Sequence, residues 1–553
     1  MSILLNAEQQ SLKKIFSTEE EYLIPSYQRP YSWEYDQCFQ LYNDLMNAFK
    51  EDEDYFIGNI ILAKSTSSND DVRLQVVDGQ QRIISLWLLM KSLSLLYPEM
   101  KVLEKVLQIE SWKGDTKQAR IKSEIFEAND GIDLETIYKW EKKDFDKKLQ
   151  EVLDKRNQID ERKCSGRIEA NSMFFYNWLV AFNKNNDVDS GERFIAFLLT
   201  KVSLLPIILV GNNISEANAK ALTIFETINN RGMNLEDADI FKARLYDKAK
   251  RENKDEEFIK SWVEFKGACN NLNLQVDDVF RYYSHIIRGQ QGITVSEKKL
   301  RDFFISESFS PLNTIVDHEK IMNDLFNIIQ ILEYLKQEKT NTKSKVAIWL
   351  QIIDAYSNLY PQYAIVNYLY VNNILQNNLS DEEFEDFLIP LVRYIYYLGS
   401  TTTVKFEIYN IIKQTSAKKV IAKYTQETIS NEHFSRLGRL KKGYALLSHY
   451  LKNNQVMINY SVDKIINNRD SFLFSKEEWS NIDLDTLGNF VIMDIAKKNI
   501  SLENKKEYYQ TSNFLSVRNI IEHDFFGREE LLKRDTEIKN CLASFFKNEI
   551  WNL

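Results

Sequence analysis

Val72-Arg73-Leu74-Gln75-Val76-Val77-Asp78-Gly79-Gln80-Gln81-Arg82-Ile83-Ile84-Ser85-Leu86-Trp87 decides how the N-terminal part of this chain folds. Its first six residues partly alternate between apolar and polar, the period-two pattern of a short strand. From Ile83 to Tyr97 the run is apolar around nearly its whole circumference, which predicts a helix buried on all sides. Asp78-Gly79 joins the two as a glycine turn. Such a junction leaves the first-turn N–H groups without intrahelical partners at the positive end of the helix dipole, a setting that favours an anion such as phosphate. Arg82 adds a planar cation suited to bidentate phosphate contacts, and Asp78 adds a carboxylate able to hold a divalent metal. The ordinary alternative is an Asp N-cap beside a surface Arg.

Upstream, Ile24 to Trp33 is held extended by Pro25 and Pro30, and a helix is predicted from about Tyr35 to Lys50. Tyr55 to Ala63 is β-rich, and a polar loop from Lys64 to Asp71 leads into the strand before Asp78. Downstream, Leu134 to Lys163 alternates Lys with Glu and Asp, which predicts a solvated helical face. Ser203 to Val210 is again β-like, with Pro206 marking an edge or a bulge. Ser215 is a candidate N-cap for a helix whose Ala221, Leu222, Phe225 and Ile228 share one face. Asn229-Asn230-Arg231-Gly232 breaks that helix, and another starts near Leu235. The pattern then stays helical to about residue 400, with no repeat of fixed period. The last 150 or so residues hold a basic cluster (Arg436, Arg439, Lys441, Lys442) and a helix from about Arg528 to Trp551.

With 553 residues the chain is long enough for two to four well-filled domains. Only seven prolines and sixteen glycines argue for long helices and few tight turns. The 28 tyrosines and 32 phenylalanines read as packing mass. A net charge of −9 confines any nucleic-acid surface to a local patch, such as the basic cluster. Cys38, Cys164, Cys269 and Cys541 lie too far apart for a zinc motif or a disulfide framework. The N-terminus carries no signal-peptide pattern. No apolar run approaches the roughly 18 residues of a membrane helix. A cytoplasmic protein without a membrane partner is expected.

Four separated motifs occur in order: Tyr27-Gln28-Arg29-x-Tyr31-x-Trp33, Phe56-Ile57-Gly58-Asn59-Ile60, Val77-Asp78-Gly79-Gln80-Gln81-Arg82, and Phe225-Glu226-x-Ile228-Asn229-x-Arg231-Gly232-x-x-Leu235. Across about residues 10 to 250 this order resembles the N-terminal domain of the GmrSD-type restriction endonucleases, which is similar to the ParB and sulfiredoxin nucleotide-binding fold. The resemblance implies a nucleoside-triphosphate site, with binding or hydrolysis coupled to restriction of foreign DNA. Tyr27, Gln28, Arg29, Gly79, Gln80, Gln81, Arg82, Glu226, Asn229 and Arg231 would contact the nucleotide. Asp78 and Arg82 would act on it, and Asp78, with Glu226, would position Mg²⁺ or water.

Tyr460 to Ile466, Trp479, Leu487 to Ile492, Asn499, Asn504-Lys505, Tyr508, Arg534 and Trp551 resemble the HNH-type nuclease domain of the same family. That likeness implies a metal on Asp463 and a catalytic Asn489. The family pattern has His where Lys464 stands, and a lysine of pKa about 10.4 is protonated at neutral pH and takes no proton from water. His523, after Glu522, follows the Asn instead of preceding it. The expected fold is therefore α+β and predominantly helical. It comprises a ParB/sulfiredoxin-like domain with a helical insertion (1–250), a helical middle (251–400) and a degenerate ββα-metal, HNH-like domain (401–553). The expected function is an NTP-binding and NTP-hydrolysing anti-phage protein of the modification-dependent restriction type. The alternative is a nucleotide-switched DNA-binding subunit acting with a partner nuclease. A partner defence protein and a homo-oligomer both stay open.

Overall fold

The structure, a computed structural model, describes residues 8–66, 73–110, 117–155, 158–214, 216–218, 220–221, 224, 237–314, 317–341, 344–356, 358–377, 379–398, 404–419, 421, 423–425, 429, 434, 440–455, 459–494, 502–521, 526–547 and 549–551. It divides into two compact units, Met1–Val263 and Glu264–Leu553. The fold is α+β and predominantly helical.

The first unit is built on β1 (Gln10–Ser11), β2 (Glu21–Ile24), β3 (Tyr55–Ser65), β4 (Arg73–Asp78), a hairpin of β5 (Gln108–Glu110) and β6 (Lys117–Ala119), then β7 (Ile121–Ser123) and β8 (Val202–Gly211). Six of these form one mixed sheet in the order β1-β8-β3-β4-β2-β7. β3 pairs parallel to β8 and antiparallel to β4, whereas β4, β2 and β7 run parallel. β1 pairs only with Ser203 and Leu204, so Pro206 lies beyond its reach, on a stretch of β8 flanked by β3. The bulge falls on β3, between Phe56 and Gly58.

Strand alternation separates two cores. Ile60 and Leu62 of β3, Leu74 and Val76 of β4, and Val202 and Leu204 of β8 enter the larger one. Ile61, Ala63, Val77, Ile207 and Leu209 face the other way, where Ala217, Ala221 and Ile224 cover them. The large core is centred on the Gln80–Leu96 helix, whose Ile83, Ile84, Leu86, Trp87, Leu88 and Leu89 are all 0 % exposed. That all-round burial is why its apolar run shows no polar face. Lys91 sits inside it and donates Nζ to the Tyr138 carbonyl at 2.9 Å. Burial pulls its pKa down to about 8.

Two expectations need correction here. The charged stretch after Leu134 is not one helix: Asp130–Lys139 ends at Trp140, whose extended ψ of 136° breaks it. Lys142–Val152 then restarts behind a Glu141–Asp144 capping box, burying Phe145, Leu149 and Val152. The helix after β8 is capped by Asn213, whose Oδ1 accepts the Glu216 N–H at 2.9 Å. Ser215 lies outside the described residues.

The second unit is helical through Asp381–Leu398 and then mixed. β9 (Lys423–Thr425) pairs with β12 (Glu549–Trp551), so the final helix stops at Phe546 and the tail to Trp551 is a strand. Between them β10 (Ser461–Lys464) and β11 (Phe490–Met493) form an antiparallel pair, followed by the Leu502–Thr511 helix. Tyrosine and phenylalanine do serve as packing mass: Tyr176, Tyr396, Tyr409, Tyr444, Phe145 and Phe194 are among the largest fully buried side chains. Among the described residues no helix is long and apolar enough to cross a membrane.

Candidate functional site

Asp78 ends β4, and Gly79 opens the Gln80–Leu96 helix as its N-cap at φ 92°, with no side chain capping the first turn. Gly79 is required twice over. Its backbone is left-handed, and a Cβ there would meet Asn59 O at 3.2 Å and Ile60 Cα at 3.3 Å. The first intrahelical bond runs from Ile83 N to Gly79 O at 3.0 Å, which leaves the Gln80, Gln81 and Arg82 amides ahead of the ladder. Gly58, at φ 133° in the β3 bulge, lies under Arg82, and a Cβ at Gly58 would stand 2.5 Å from Arg82 Nη1. The motif around Gly58 thus makes room for the guanidinium.

Arg82 Nη2 pairs with Asp78 Oδ2 at 3.2 Å. Burial raises the Asp78 carboxyl above its usual range, against the pull of Arg82, the Gly79 N–H and Arg29. Two cations therefore face one carboxylate. Among the described residues no trio of His, Cys, Asp or Glu side chains with metal-holding spacing includes Asp78. Asp78 alone fits an ion that arrives already bound to phosphate, because Mg²⁺ is commonly held by one or two carboxylates plus substrate oxygens.

The glutamines do something the sequence did not reveal: they lash the first motif to the helix. Gln28 Nε2 donates to Val77 O at 2.9 Å, and Gln80 Nε2 to Arg29 O at 2.7 Å. Gln81 Oε1 accepts from Ser32 N (2.9 Å) and Trp33 N (3.1 Å), while its Nε2 donates to Pro30 O at 3.3 Å. Gln28 and Gln81 are thus positioning residues. Gln80 differs, because its Oε1 is buried without a partner. Tyr27 lies on the same turn and is buried.

Asp130 and Asn171 complete the lashing. Asp130 Oδ2 accepts Tyr31 N at 2.7 Å, and Asn171 Nδ2 donates to Trp33 O at 2.8 Å. Burial pushes the Asp130 carboxyl from 3.8 up to about 6. The folded state then holds an extra proton between those values, so this group's contribution is complete below the unfolded pKa and is lost as pH rises through the folded one. Asp130→Asn keeps an oxygen for Tyr31 and should raise stability at neutral pH by about 1–3 kcal/mol while leaving acid-side stability unchanged. Urea unfolding of both proteins at about pH 4 and 7.5 reads this. A variant no more stable than wild type at the higher pH contradicts it.

Glu226, Asn229 and Arg231, with Phe225 and Ile228, lie outside the described residues.

In the second unit the predicted chemistry is internalised. Asn489 is fully buried, its Nδ2 donating to Ile466 O and Leu484 O, both at 2.9 Å, and its Oδ1 accepting Ile466 N at 2.8 Å. All its polar atoms brace backbone, so a catalytic role does not fit. Asp463 Oδ1 accepts Lys464 N at 2.9 Å, and its Oδ2 lies 3.4 Å from Lys505 Nζ, itself 0 % exposed. An ammonium already neutralises the carboxylate, so a metal on Asp463 does not fit either. Lys464 turns outward and shares Asp485 with Lys441, at 3.0 and 2.7 Å. Lys442 lies over the Tyr460 ring at 5.3 Å. Arg436 and Arg439 lie outside the described residues, as do Glu522 and His523. Of the DNA-contact candidates, then, Lys441 is paired with acid and Lys442 is exposed.

Residues 12–246 match the model of the GmrSD restriction endonuclease N-terminal domain. No curated protein matches the chain. The matched span encloses the β2, β3 and β4 motifs and the junction at Gly79. Over residues 12–246, then, the chain carries a domain similar to the N-terminal domain of the GmrSD restriction endonucleases, a likeness that supports restriction-type defence.

Proposed function

We propose that the first unit binds and hydrolyses a nucleoside triphosphate at the Asp78–Arg82 junction, in a ParB-like setting, and couples this to DNA restriction. One observation carries the reading. A helix start with no side-chain cap stands beside an arginine fixed over a glycine bulge. The Gln80, Gln81 and Arg82 amides suit phosphate oxygens. The Asp78 contact engages one of the five guanidinium donors of Arg82, leaving others for phosphate. Arg29 adds a second cation near Asp78. Mg²⁺ carried in with the nucleotide would supply charge neutralisation, and Asp78 would hold it, joined by Glu226, while Asn229 and Arg231 would contact the nucleotide, as the family pattern implies.

For the second unit, the β10–β11 pair and its following helix support a degenerate HNH-like module that grips DNA without cutting it. The burial of Asn489 and the Asp463–Lys505 pair favour this reading, and with it a nucleotide-switched subunit that relies on a partner nuclease. Phosphate release from each of the four nucleotides, with and without DNA, tests turnover. Plasmid added to the same incubation with Mg²⁺ or Mn²⁺ reads cutting. Release without cutting is expected. Absence of both nucleotide binding and release removes the first unit's assignment, and cutting that disappears in Asn489→Ala removes the second's.

A further inference from the structure

A cavity of about 400 Å³ opens in the first unit beside the Pro25–Tyr27 turn, where β2 and β7 end and the Asp237–Arg251 helix passes. It is separate from the amide-lined mouth at Gly79 but tied to it. Gln28, next to Tyr27 in the chain, donates to Val77 O, one residue before Asp78.

The lining is unusual in its polar atoms. Tyr27 Oη and Asn218 Oδ1 are both buried, each residue 6 % exposed, and neither atom has a hydrogen-bond partner. Asn218 is oriented by donating Nδ2 to Gln75 Oε1 at 2.8 Å, so its oxygen is the free end. Leaving such atoms unmet is costly, and native interiors rarely tolerate it without a guest. Asp247 lines the same space, and its charge disfavours ionisation of the already buried Tyr27 hydroxyl. The cavity thus offers an amide oxygen, a carboxylate and a hydroxyl, with Tyr246 as an aromatic wall, Glu124 as a further carboxylate, and Lys250 and Arg251 as cations whose charge acts on Asp247. Its unmet amide oxygen seeks an N–H donor.

We propose that the cavity receives the base of the nucleotide, an amino-bearing heterocycle whose N–H groups donate to Asn218 Oδ1 and the Asp247 carboxylate while Tyr27 makes a third bond. This rests on the reading that the first unit binds a nucleoside triphosphate. Guanine fits best, because its ring N–H and adjacent amino group present two parallel donors to a carboxylate. Uracil, with one N–H between two carbonyls, fits worst.

Calorimetry on the full chain with GTP, ATP, CTP and UTP tests the assignment. Wild type should bind GTP at least about tenfold tighter than UTP. Tyr27→Phe should weaken GTP about five- to tenfold without lowering the melting temperature, since it deletes a hydroxyl with no partner in the apo protein. Asp247→Asn should erase the preference for GTP over UTP. Equal affinity for all four nucleotides, together with a silent Tyr27→Phe, would mean that water fills the cavity. That result overturns the base assignment and leaves the phosphate site standing. Failure of every nucleotide to bind wild type overturns both, and is distinct because no discrimination can then be read.

Discussion

Arg82→Ala is expected to abolish nucleotide binding by the full chain, a loss of at least about 100-fold in affinity. Two effects of the same sign set that size. The variant removes charge-assisted phosphate contacts worth about 1.5–3 kcal/mol each. It also leaves the half-buried Asp78 carboxylate without its 3.2 Å partner, facing an anionic ligand. Arg82→Lys should recover only part, since an ammonium keeps the charge but loses the planar fork lying over Gly58. Calorimetry with each nucleotide, beside a thermal melt to confirm folding, decides it. Unchanged affinity in a folded Arg82→Ala protein would falsify the placement of the phosphate at this junction.

A second large effect is expected at Lys242. Its Nζ, 2 % exposed, lies 2.5 Å from Glu127 Oε1 at 7 %, and also approaches Gln28 O at 3.4 Å and the Phe126 ring at 5.4 Å. It ties the Asp237–Arg251 helix to the turn that carries Tyr27 and Gln28. Lys242→Met takes the ammonium away from a buried carboxylate, so a loss of about 3–5 kcal/mol of unfolding free energy is expected. Adding Glu127→Gln should return most of it, because the desolvated negative charge, more than the lost attraction, dominates the cost. Urea unfolding of the two variants and wild type measures both steps. A single variant within about 0.5 kcal/mol of wild type would show that the Lys242 ammonium does not hold the Glu127 charge in place.

The Gly79 junction was legible because its signals are local. A glycine that must take φ 92°, a strand-length apolar run and a helix with no polar face are each encoded within a few neighbouring residues. The break at Trp140 was not legible, because charge alternation runs through both flanking helices and only packing of Phe145, Leu149 and Val152 fixes where the second begins. The side-chain bonds of Gln28, Gln80 and Gln81 to backbone were not legible for a related reason. Amide side chains serve ligand and backbone equally well, and choosing between them needs the partner's position. Lys242 and Asn171 carried no signal at all, each standing more than 130 residues from the loop it holds.

The chain's own order of residues determined the strand-turn-helix at Asp78–Arg82 and the helical character of most of the chain beyond it. Those depend on backbone conformation and on patterns a few residues long. Only the tertiary structure decided which polar groups are free. It buried Asn489 against backbone, gave Asp463 the Lys505 ammonium, and left Tyr27 and Asn218 facing a cavity. Availability of a donor or acceptor depends on what distant residues already satisfy it, and chain separation does not encode that distance.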